Sequence, residues 1–375
     1  MWAARVNQFN GVYRGSRVLL TGHTGFKGSW LTTWLLALGA NVCGVSRNYV
    51  SEPSAFVTAD LAGDIDHHLQ DIRDLDSLKR VITEYKPDFV FHLAAQALVS
   101  RSYTDPLDTV TTNTVGTANL LQCLRDVDWP CTTVIITSDK CYENVEWPWG
   151  YRETDALGGR DMYSASKGAA EVVFHGFYSS FFANADCKVQ LATARAGNVI
   201  GGGDWAQDRI VADCMRAWTA NQTVQIRSPN ATRPWQHVLE PLSGYLRLGQ
   251  VLAENHALSG EQFNFGPRSE QNRTVLQLIT TLAELWGPTG SEVPFEVAAN
   301  IPFHEASLLK LNCDKALLML RWEPTLALDE CLNMTGEWYR RFYRDKANAR
   351  ALMDEQICVY ASLAAQRGRI WSGSL

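Results

Sequence analysis

Several features that mark particular classes of protein are missing from this 375-residue sequence. Its nine cysteines are odd in number and scattered, and no two of them have the Cys-x-x-Cys spacing. This pattern argues against a disulfide framework or a zinc site. We therefore expect no bound metal and predict a reducing, cytoplasmic location.

An excess of basic charge and a long apolar run are also missing. The formal net charge of −6 argues against nucleic-acid and membrane-surface partners, which recruit basic patches. The most apolar stretch, Trp30–Val45, contains polar and glycine interruptions and falls short of the ~20 residues that a membrane span needs. Met1–Gly15 has no apolar core of signal-peptide length. A soluble protein is expected, and a local group of arginines could still bind an anionic small molecule.

Short β-branched runs alternate with longer amphipathic segments through the first two-thirds of the chain. The pattern predicts strands at Arg17–Thr21, Asn41–Val45, Asp88–Leu93, Thr132–Thr137 and Val189–Ala194. Helices are predicted between them at Lys27–Leu38, Asp74–Tyr85, Val110–Arg125 and Tyr163–Phe182. Such alternation indicates an α/β fold with a Rossmann-like, doubly wound parallel sheet.

The alternation ends near residue 198. We expect residues 1–198 to form a dinucleotide-binding Rossmann domain and residues 199–345 a smaller mixed α/β substrate lobe with some return to the sheet. Residues 346–375 are expected to form a C-terminal helix or tail. Thr274–Gln277 has the pattern of a capping box, and Gly39 stands where a left-handed helix cap belongs.

A glycine-rich turn directly follows the first predicted strand. Gly22, Gly25 and Gly28 are spaced G-x-x-G-x-x-G, and an apolar helix follows them. Such a turn brings the backbone, here with Thr24 and Phe26, close to a pyrophosphate at the helix N-terminus. Glycines also occur in such turns for packing alone, but the strand before and the helix after favour a dinucleotide site.

The end of the second predicted strand is where an acidic residue usually holds the adenosine ribose, and here it reads Ser46-Arg47. An arginine suits a 2′-phosphate, but it could equally be solvated or stack on adenine. These residues alone leave NAD and NADP open. Asp71 and Ile72 are either adenine contacts or ordinary loop residues.

Tyr163 and Lys167 are four residues apart at the start of a predicted helix and therefore share one face. A tyrosine has a pKa of about 10, and a nearby ammonium group favours its phenolate, which could take a proton from a sugar hydroxyl. Ser138, Asp139 and Lys140 follow a strand at the sheet edge where ligands bind. Chance Tyr-x-x-x-Lys pairs are common, and the aspartate and lysine could instead be a surface ion pair.

Together these residues resemble the extended short-chain dehydrogenase/reductase family, and within it the branch that acts on CDP-glucose. The resemblance runs in order from residue 17 to about residue 342. Its segments are GHTGFKGSWL (22–31), FHLAAQ (91–96), TSDKCYENVEWPWGYRE (137–153), GGRDMYSASKGAAE (158–171), ARAGNVIGGGDWAQDRIV (194–211), RPWQHVLEPLSGYL (233–246), and the weaker FNFGP (263–267) and HEASLLKL (304–311).

The resemblance implies NAD as cofactor, a nucleotide-sugar substrate, and a 4,6-dehydration in which no net redox change occurs. It places Ala94 and Ala95 at the cofactor and Gln96 at the substrate. It also implies that helices 110–125 and 163–182 form a dimer bundle, so that a homodimer or a dimer of dimers is expected.

Three catalytic roles follow from the resemblance besides that of Tyr163. Ser138 would bond the 4-oxygen, and Asp139 would be the acid for loss of the 6-hydroxyl. Lys140 stands where many relatives have a glutamate base for carbon 5. A free lysine has a pKa of about 10.4, so Lys140 would need a lowered pKa to act as the base, or it would position a water that does.

Arg233, within Arg-Pro-Trp, matches the family arginine that grips the diphosphate, and a guanidinium fork suits phosphate. Arg209, Asn198 and His304 are further substrate candidates, each of which could be structural. A sugar-nucleotide epimerase or reductase would need Tyr163 but would leave an acid and a base without a role. A non-catalytic dinucleotide-binding subunit is a third reading. The chemistry of the residues does not identify the nucleotide base.

Overall fold

The computed structural model describes residues 7–226, 228–268, 270–271, 273–287, 294–297 and 308–373. At its centre is a seven-stranded sheet in which every neighbouring pair is parallel. The strands are β1 (Arg17–Thr21), β2 (Asn41–Ser46), β3 (Asp66–Leu69), β4 (Phe89–His92), β5 (Cys131–Ile136), β6 (Val189–Ala196) and β7 (Gln262–Phe265). They lie in the order β7-β6-β5-β4-β1-β2-β3, so the order reverses between β1 and β4. The predicted Rossmann-like α/β fold is confirmed.

Helices connect the strands and cover the sheet. The α-helices are α1 (Phe26–Ala37), α2 (Ala55–Thr58), α3 (Leu75–Tyr85), α4 (Val99–Thr104), α5 (Pro106–Val110), α6 (Gly116–Arg125), α7 (Met162–Phe177), α8 (Ile210–Thr219), α9 (Leu239–Glu254), α10 (Val275–Trp286), α11 (Leu328–Tyr343) and α12 (Ala349–Gln366). Short π-helical turns span Thr111–Val115, Tyr178–Phe182 and Ala316–Leu320, and 3-10 turns span Gln8–Gly11, Ala62–Asp64, Asp139–Cys141, His256–Leu258 and Ile370–Ser372.

Two hydrophobic cores lie on opposite faces of the sheet. One contains Trp30 of α1 and Leu246 of α9, and the other contains Leu78 of α3, Leu120 of α6 and Phe174 of α7. Every residue of β4, β5 and β6 is buried. Continuous apolar strands are what a parallel sheet covered on both faces requires.

The five predicted strands are present within two residues of their predicted ends. β3 and β7 were not predicted because they lack the apolar run of the equally short β4; they read Asp-His-His-Leu and Gln-Phe-Asn-Phe. β7 overlaps the segment FNFGP (263–267). It pairs with β6, so the sheet is completed by residues from the second half of the chain.

The predicted helix Val110–Arg125 begins earlier and is not uniform, since a π-helical turn at Thr111–Val115 joins α5 to α6. A second π turn follows α7. Gly39, just after α1, has a φ of +81°, and Thr274 and Gln277 form the predicted capping box.

Beyond residue 198 the described chain contains short strand pairs and the helices α8 to α12. The expected terminal helix is α12, and beyond it Trp371 stacks on Phe9 with ring centroids 5.1 Å apart. The division of the chain into a sheet domain and a substrate lobe stays a prediction. Within the described ranges, every helix is too short or too polar to cross a bilayer.

Candidate active site

A cleft of about 640 Å³ opens above the C-terminal ends of the strands, at the reversal between β1 and β4. Ligands bind at this position in open α/β sheets. The predicted site residues that the structure describes all line this cleft. They are Gly22, Thr24, Gly25, Phe26, Gly28, Ser46, Arg47, Asp71, Ile72, Ala94, Ala95, Gln96, Ser138, Asp139, Lys140, Tyr163, Lys167, Asn198, Arg209 and Arg233. His304 lies outside the described residues.

The glycine loop is packed too tightly for other residues at two positions. Gly22 has a φ of +79°, and a Cβ there would lie 2.6 Å from the backbone nitrogen of Ala94. A Cβ on Gly28 would lie 2.1 Å from the carbonyl oxygen of Gly22. The loop therefore turns closely into α1, whose first N–H groups have no partner within the helix and face the cleft rim beside Gly25. This geometry fits a dinucleotide pyrophosphate.

Polar side chains connect the glycine loop to the neighbouring strands β2 and β3. The backbone N–H of Thr24 donates to Ser46 Oγ at 3.3 Å, and Ser46 Oγ lies 3.0 Å from His23 Nδ1. His23 Nε2 is 2.6 Å from His67 Nδ1 on β3. Burial lowers the pKa of His23 to about 3, so this ring is neutral at physiological pH. Ser46 thus ties the loop to β2 while lining the cleft.

Arg47 is held by carboxylates. Its Nη1 lies 2.9 Å from Asp108 Oδ1 and 3.7 Å from Asp71 Oδ2, while Arg73 binds the Asp71 carboxylate at 2.6 Å. The hydrogen bond from Arg47 lowers the pKa of Asp108; burial raises that of Asp71, but hydrogen bonds from Arg73 lower it overall. Both carboxylates are therefore charged at neutral pH, and the guanidinium of Arg47 is already paired with them.

Ser138 and Asp139 lie directly beyond β5 in a 3-10 turn that Ser138 caps. The hydroxyl of Ser138 donates to Asp139 Oδ1 at 3.0 Å and accepts from the backbone N–H of Lys140 at 3.2 Å. The other carboxylate oxygen, Asp139 Oδ2, is buried and finds no hydrogen-bond partner in the described part of the chain. An unpartnered buried acceptor is costly, and this oxygen is therefore available to bond a ligand group in the cleft.

Tyr163 and Lys167 are buried on one face of α7, whose start is capped by Asp161 through the N–H of Ser164 at 2.9 Å. Burial raises the pKa of Tyr163 to about 12, although Ser138 lowers it in part, and burial lowers the pKa of Lys167 to about 8. For each group, loss of water on burial disfavours the charged form. The acidification of the phenol by the ammonium group stays a prediction.

Glu171 lies one helical turn beyond Lys167 and forms a buried ion pair with Arg195 of β6. Arg195 Nε and Nη2 each donate to the Glu171 carboxylate at 2.9 Å. Burial alone raises the pKa of Glu171, but Arg195, Thr137 and Thr193 together hold it below its ordinary value. This pair holds α7 against the sheet and thereby helps to position Tyr163, which lies on the same helix.

The predicted substrate residues differ in the hydrogen bonds and ion pairs that their side chains form within the protein. The amide of Gln96 donates to Thr109 Oγ1 at 2.8 Å and to the carbonyl of Leu98 at 2.9 Å, so it shapes the loop after β4. Arg209 Nη1 pairs with Asp204 at 3.1 Å. Arg233 Nη1 donates to the carbonyl of its neighbour, Thr232, at 2.9 Å. Their contacts with a substrate stay predictions.

Lys27 is a cleft residue to which sequence reasoning gave no role. It is the second residue of α1, and its Nζ donates to the hydroxyl of Tyr245 on α9 at 3.3 Å. A lysine at the start of an otherwise apolar helix, inside the glycine loop, was the signal that could have found it.

A Cys43, Asp66 and His68 group at the sheet edge lies apart from the cleft lining, with one potential ligand atom of each residue within 4.8 Å of the others. Burial raises the pKa of the Cys43 thiol, which disfavours the thiolate that a metal needs. The described nine cysteines are all free. The expectation of no metal stays a prediction.

A glycine loop after β1, a Tyr-x-x-x-Lys pair on α7 and a hydroxyl after β5 define the class: an extended short-chain dehydrogenase/reductase that acts on nucleotide sugars. The chain matches the family described as GDP-mannose 4,6 dehydratase over residues 19–335 and belongs to it. The resemblance stated from the motifs is confirmed at this level.

Among curated proteins, the chain is 47% identical over 335 residues to "CDP-glucose 4,6-dehydratase" of Salmonella typhimurium, covering 88% of this chain and 92% of that protein. It is 26% identical over 338 residues to "UDP-glucuronic acid decarboxylase 1" of Xenopus tropicalis, covering 88% and 74%.

Among solved structures, the dTDP-glucose 4,6-dehydratase DesIV of Streptomyces venezuelae, with NAD and TYD bound, superposes with a TM-score of 0.74 at 22% identity, covering 87% of this chain and 97% of that one. UDP-glucuronic acid 4-epimerase of Bacillus cereus, with UDP-glucuronic acid and NAD, gives a TM-score of 0.74 at 20% identity, covering 87% and 100%. Both share the fold.

Proposed function

We propose that the protein is an NAD-dependent CDP-glucose 4,6-dehydratase that forms CDP-4-keto-6-deoxyglucose and water. One observation carries this proposal: a buried carboxylate oxygen for which the described residues offer no partner, Asp139 Oδ2, belongs to a residue that lines the same cleft as Tyr163. An epimerase has no use for an acid there, whereas a dehydratase must protonate a departing hydroxyl. The 47% identity to the Salmonella dehydratase supports the same activity.

The glycine loop and the end of β2 would hold the cofactor, whose bound form takes up hydride from carbon 4 and returns it to carbon 6. Gly22, Gly25 and the start of α1 would face the pyrophosphate. Asp71 and Asp108 favour NAD over NADP, because they already pair with the guanidinium of Arg47 and leave it less available to a 2′-phosphate.

At carbon 4, Tyr163 takes the hydroxyl proton and Ser138 bonds the oxygen. For this transfer, the pKa of the Tyr163 phenol must fall below the value that burial alone gives it. The hydroxyl of Ser138 and the guanidinium of Arg209 are the groups that lower the pKa of Tyr163 toward that end. The 4-ketone then acidifies the proton on carbon 5.

At carbons 5 and 6, Lys140 removes the carbon-5 proton, directly or through a water that it positions, and the same group returns a proton to carbon 5 when carbon 6 is reduced. Asp139 gives a proton to the 6-hydroxyl, the carbon–oxygen bond breaks, and water leaves. Asp139 and Lys140 are neighbours in one turn, so acid and base reach adjacent carbons of one hexose.

Arg233 and Arg209 would neutralise the diphosphate, with Asn198 alongside. The choice of CDP rests on the name of the Salmonella relative. A thermal-shift series with CDP-, dTDP-, GDP- and UDP-glucose measures it directly, since a ligand that binds only the folded protein raises the melting temperature.

A homodimer, or a dimer of dimers, is part of the proposal, as is a cytoplasmic location. The segment from α5 to the π turn after α7 exposes large apolar side chains on one side of the sheet: Leu107, Val115, Val172 and Phe181. Exposed apolar clusters of this kind mark association surfaces. Sedimentation equilibrium would give the mass of the assembly.

The test of the activity is incubation with CDP-glucose and measurement of the absorbance that a 4-keto-6-deoxy sugar develops in alkali. Tyr163→Phe should reduce kcat by about 10²–10⁴-fold, the range for loss of a positioned proton acceptor. Tyr178→Phe, in the π turn after α7 and outside the cleft lining, is the matched control and should keep wild-type turnover. Formation of CDP-galactose without the keto product would establish the epimerase alternative instead.

Asp139→Asn and Lys140→Met separate the dehydration from the oxidation. Each should retain dinucleotide binding and lose keto-deoxy product. If Lys140→Met raised KM and left kcat unchanged, Lys140 would be a binding residue and its assigned role would be wrong.

A further inference from the structure

Tyr142 directly follows the 3-10 turn that carries Asp139 and Lys140, and the proposed reaction gives it no role. We propose that the Tyr142 hydroxyl is a positioning group for this turn and holds Asp139 and Lys140 at the hexose during loss of water. This inference rests on the proposed dehydration. It goes beyond it by assigning a residue that controls one half of the reaction and not the other.

The turn is short, and its internal hydrogen bonds are weak. The N–H of Cys141 donates to the carbonyl of Ser138 at 3.1 Å, and the N–H of Tyr142 donates to the carbonyl of Asp139 at 3.4 Å. Hydrogen bonds in a 3-10 turn have poorer geometry than those of an α-helix, and 3.4 Å is long for an N–H donor. Ser138 caps the start of the turn, and the N–H of Gly158 donates to the carbonyl of Cys141 at 2.8 Å. The end of the turn is held by the residue that follows it.

The hydroxyl of that residue, Tyr142, is hydrogen-bonded on two sides. It donates to Asn264 Oδ1 on β7 at 2.8 Å and accepts from Arg195 Nη1 on β6 at 2.7 Å. The side chain of Tyr142 is only 1% exposed, so water does not compete for these bonds. The end of the turn is thereby joined to the two strands at one edge of the sheet.

The amide of Asn264 is oriented by its other contacts. Its Nδ2 donates to the carbonyls of Tyr151 at 2.9 Å and Asn312 at 3.1 Å, which leaves Oδ1 as the acceptor for Tyr142. The backbone N–H of Asn264 donates to Glu153 Oε1 at 2.8 Å. Asn264 is fully buried and does not line the cleft, so it acts on the reaction only through the residues that it holds.

Arg195 connects this anchor to the helix that carries Tyr163. The guanidinium that donates to Tyr142 also donates to Glu171 of α7 through Nε and Nη2, each at 2.9 Å. One buried network therefore holds both α7 and the turn. Removing the Tyr142 hydroxyl frees the turn and leaves the ion pair beneath α7 in place.

A displaced turn affects the two halves of the reaction unequally. Oxidation at carbon 4 uses Tyr163 on α7 and Ser138 directly after β5, whereas loss of water needs Asp139 and Lys140 at two adjacent carbons. A misplacement of about 1 Å costs about 10²-fold in rate. Without the Tyr142 hydroxyl, the sugar should still be oxidised while elimination is slow, so reduced dinucleotide should accumulate on the enzyme.

The experiment compares Tyr142→Phe with the wild type in the full-length protein. Phenylalanine keeps the ring, which stacks on Tyr151 with centroids 5.2 Å apart, and removes only the hydroxyl. With CDP-glucose and NAD, kcat for the keto-deoxy product should fall about 10²-fold with KM unchanged. The absorbance of reduced nicotinamide during turnover should be higher than in the wild type. Hydrogen–deuterium exchange of the peptide that spans residues 138–142 should be faster, with or without substrate.

Tyr13→Phe is the matched control. It also removes a buried hydroxyl, one that donates to the carbonyl of Leu246 at 2.6 Å and lies outside the cleft lining. It should lower the melting temperature about as much as Tyr142→Phe does, and it should leave kcat, the reduced-nicotinamide signal and the exchange of the turn unchanged.

Asn264→Ala removes the acceptor of the same hydrogen bond from the other side. It should reproduce the changes seen in Tyr142→Phe, and the double variant should lose no more activity than the more affected single variant. This variant decides the matter should Tyr142→Phe fail to fold.

The inference is overturned if Tyr142→Phe keeps the wild-type kcat and exchange of the turn. It is also overturned if kcat falls without a rise in reduced nicotinamide, because oxidation would then be lost together with dehydration. Wild-type protein that does not convert CDP-glucose would refute the proposed function. In that case faster exchange of residues 138–142 in Tyr142→Phe would still support the anchoring of the turn, and unchanged exchange would overturn it.

Discussion

The two ends of the cleft use the same chemical groups in different surroundings. Beneath the catalytic helix, Glu171 and Arg195 form an ion pair with side chains only 1% and 2% exposed. At the adenosine end, the side chains of Arg47 and Asp108 are 35% and 12% exposed. Asp108 also pairs with Arg73 and Arg101. The buried pair holds α7 against the sheet. The partly exposed charges at the adenosine end can be substituted to suit a different ligand with little loss in the free energy of unfolding.

The largest effect should come from breaking the buried pair. Glu171→Ala leaves the Arg195 guanidinium buried without a counter-charge and should lower the free energy of unfolding by about 3–5 kcal/mol, as measured in urea. Replacing both residues by methionine should restore part of that loss, because no charge is then stranded. If Glu171→Ala unfolded at the same urea concentration as the wild type, the buried pair would not contribute to stability, and the contrast between the two ends of the cleft would be refuted.

A smaller effect, with a pH signature, is expected at Lys167. Its pKa is about 8 in the folded protein against 10.5 when unfolded, so below pH 8 the folded state carries a buried charge that it disfavours. Lys167→Met should therefore raise the free energy of unfolding by up to about 3 kcal/mol near pH 7, and this gain should disappear as pH rises from 8 to about 10.5. A gain that stayed constant across this range would contradict the assigned cause.

The smallest effect in stability is expected at the adenosine end. Asp108→Asn should change the free energy of unfolding by less than about 1 kcal/mol, since its partners are partly solvated. It should nevertheless raise the affinity for NADP relative to NAD a few-fold, because the guanidinium of Arg47 loses its 2.9 Å carboxylate partner and becomes available to the 2′-phosphate. Asp126→Asn, which breaks the exposed pair with Lys79 on the α3–α6 side, is the control and should leave the NADP-to-NAD ratio unchanged.

The sheet was predictable wherever local pattern and burial agree. Long apolar strands such as β1 and β5 are recognisable because both faces are covered, and the glycine loop because its backbone tolerates no Cβ. The short strands β3 and β7 contain polar residues and no continuous apolar run. Their positions are fixed by pairing with β2 and β6, which is a property of the folded chain.

The members of the site were predictable from motif position, but their electrostatics were not. The pKa of Tyr163 depends on how deeply α7 is buried, and sequence spacing does not report burial. The neutralisation of Arg47 depends on Asp108, 61 residues away, which reaches it only once α5 has packed near the end of β2. Lys27 went unassigned because the partner of its amine, Tyr245, is 218 residues distant.

Strand β7 gives this architecture a particular order of assembly. On the ribosome, the first six strands emerge well before residues 262–265, and until then β6 presents a bare row of backbone N–H and C=O groups. Unpaired strand edges recruit strands from other chains, so nascent protein should be most prone to aggregation in that interval. Truncations that end between β6 and β7 should therefore accumulate as inclusion bodies, while the full chain covers β6 with its own short strand β7.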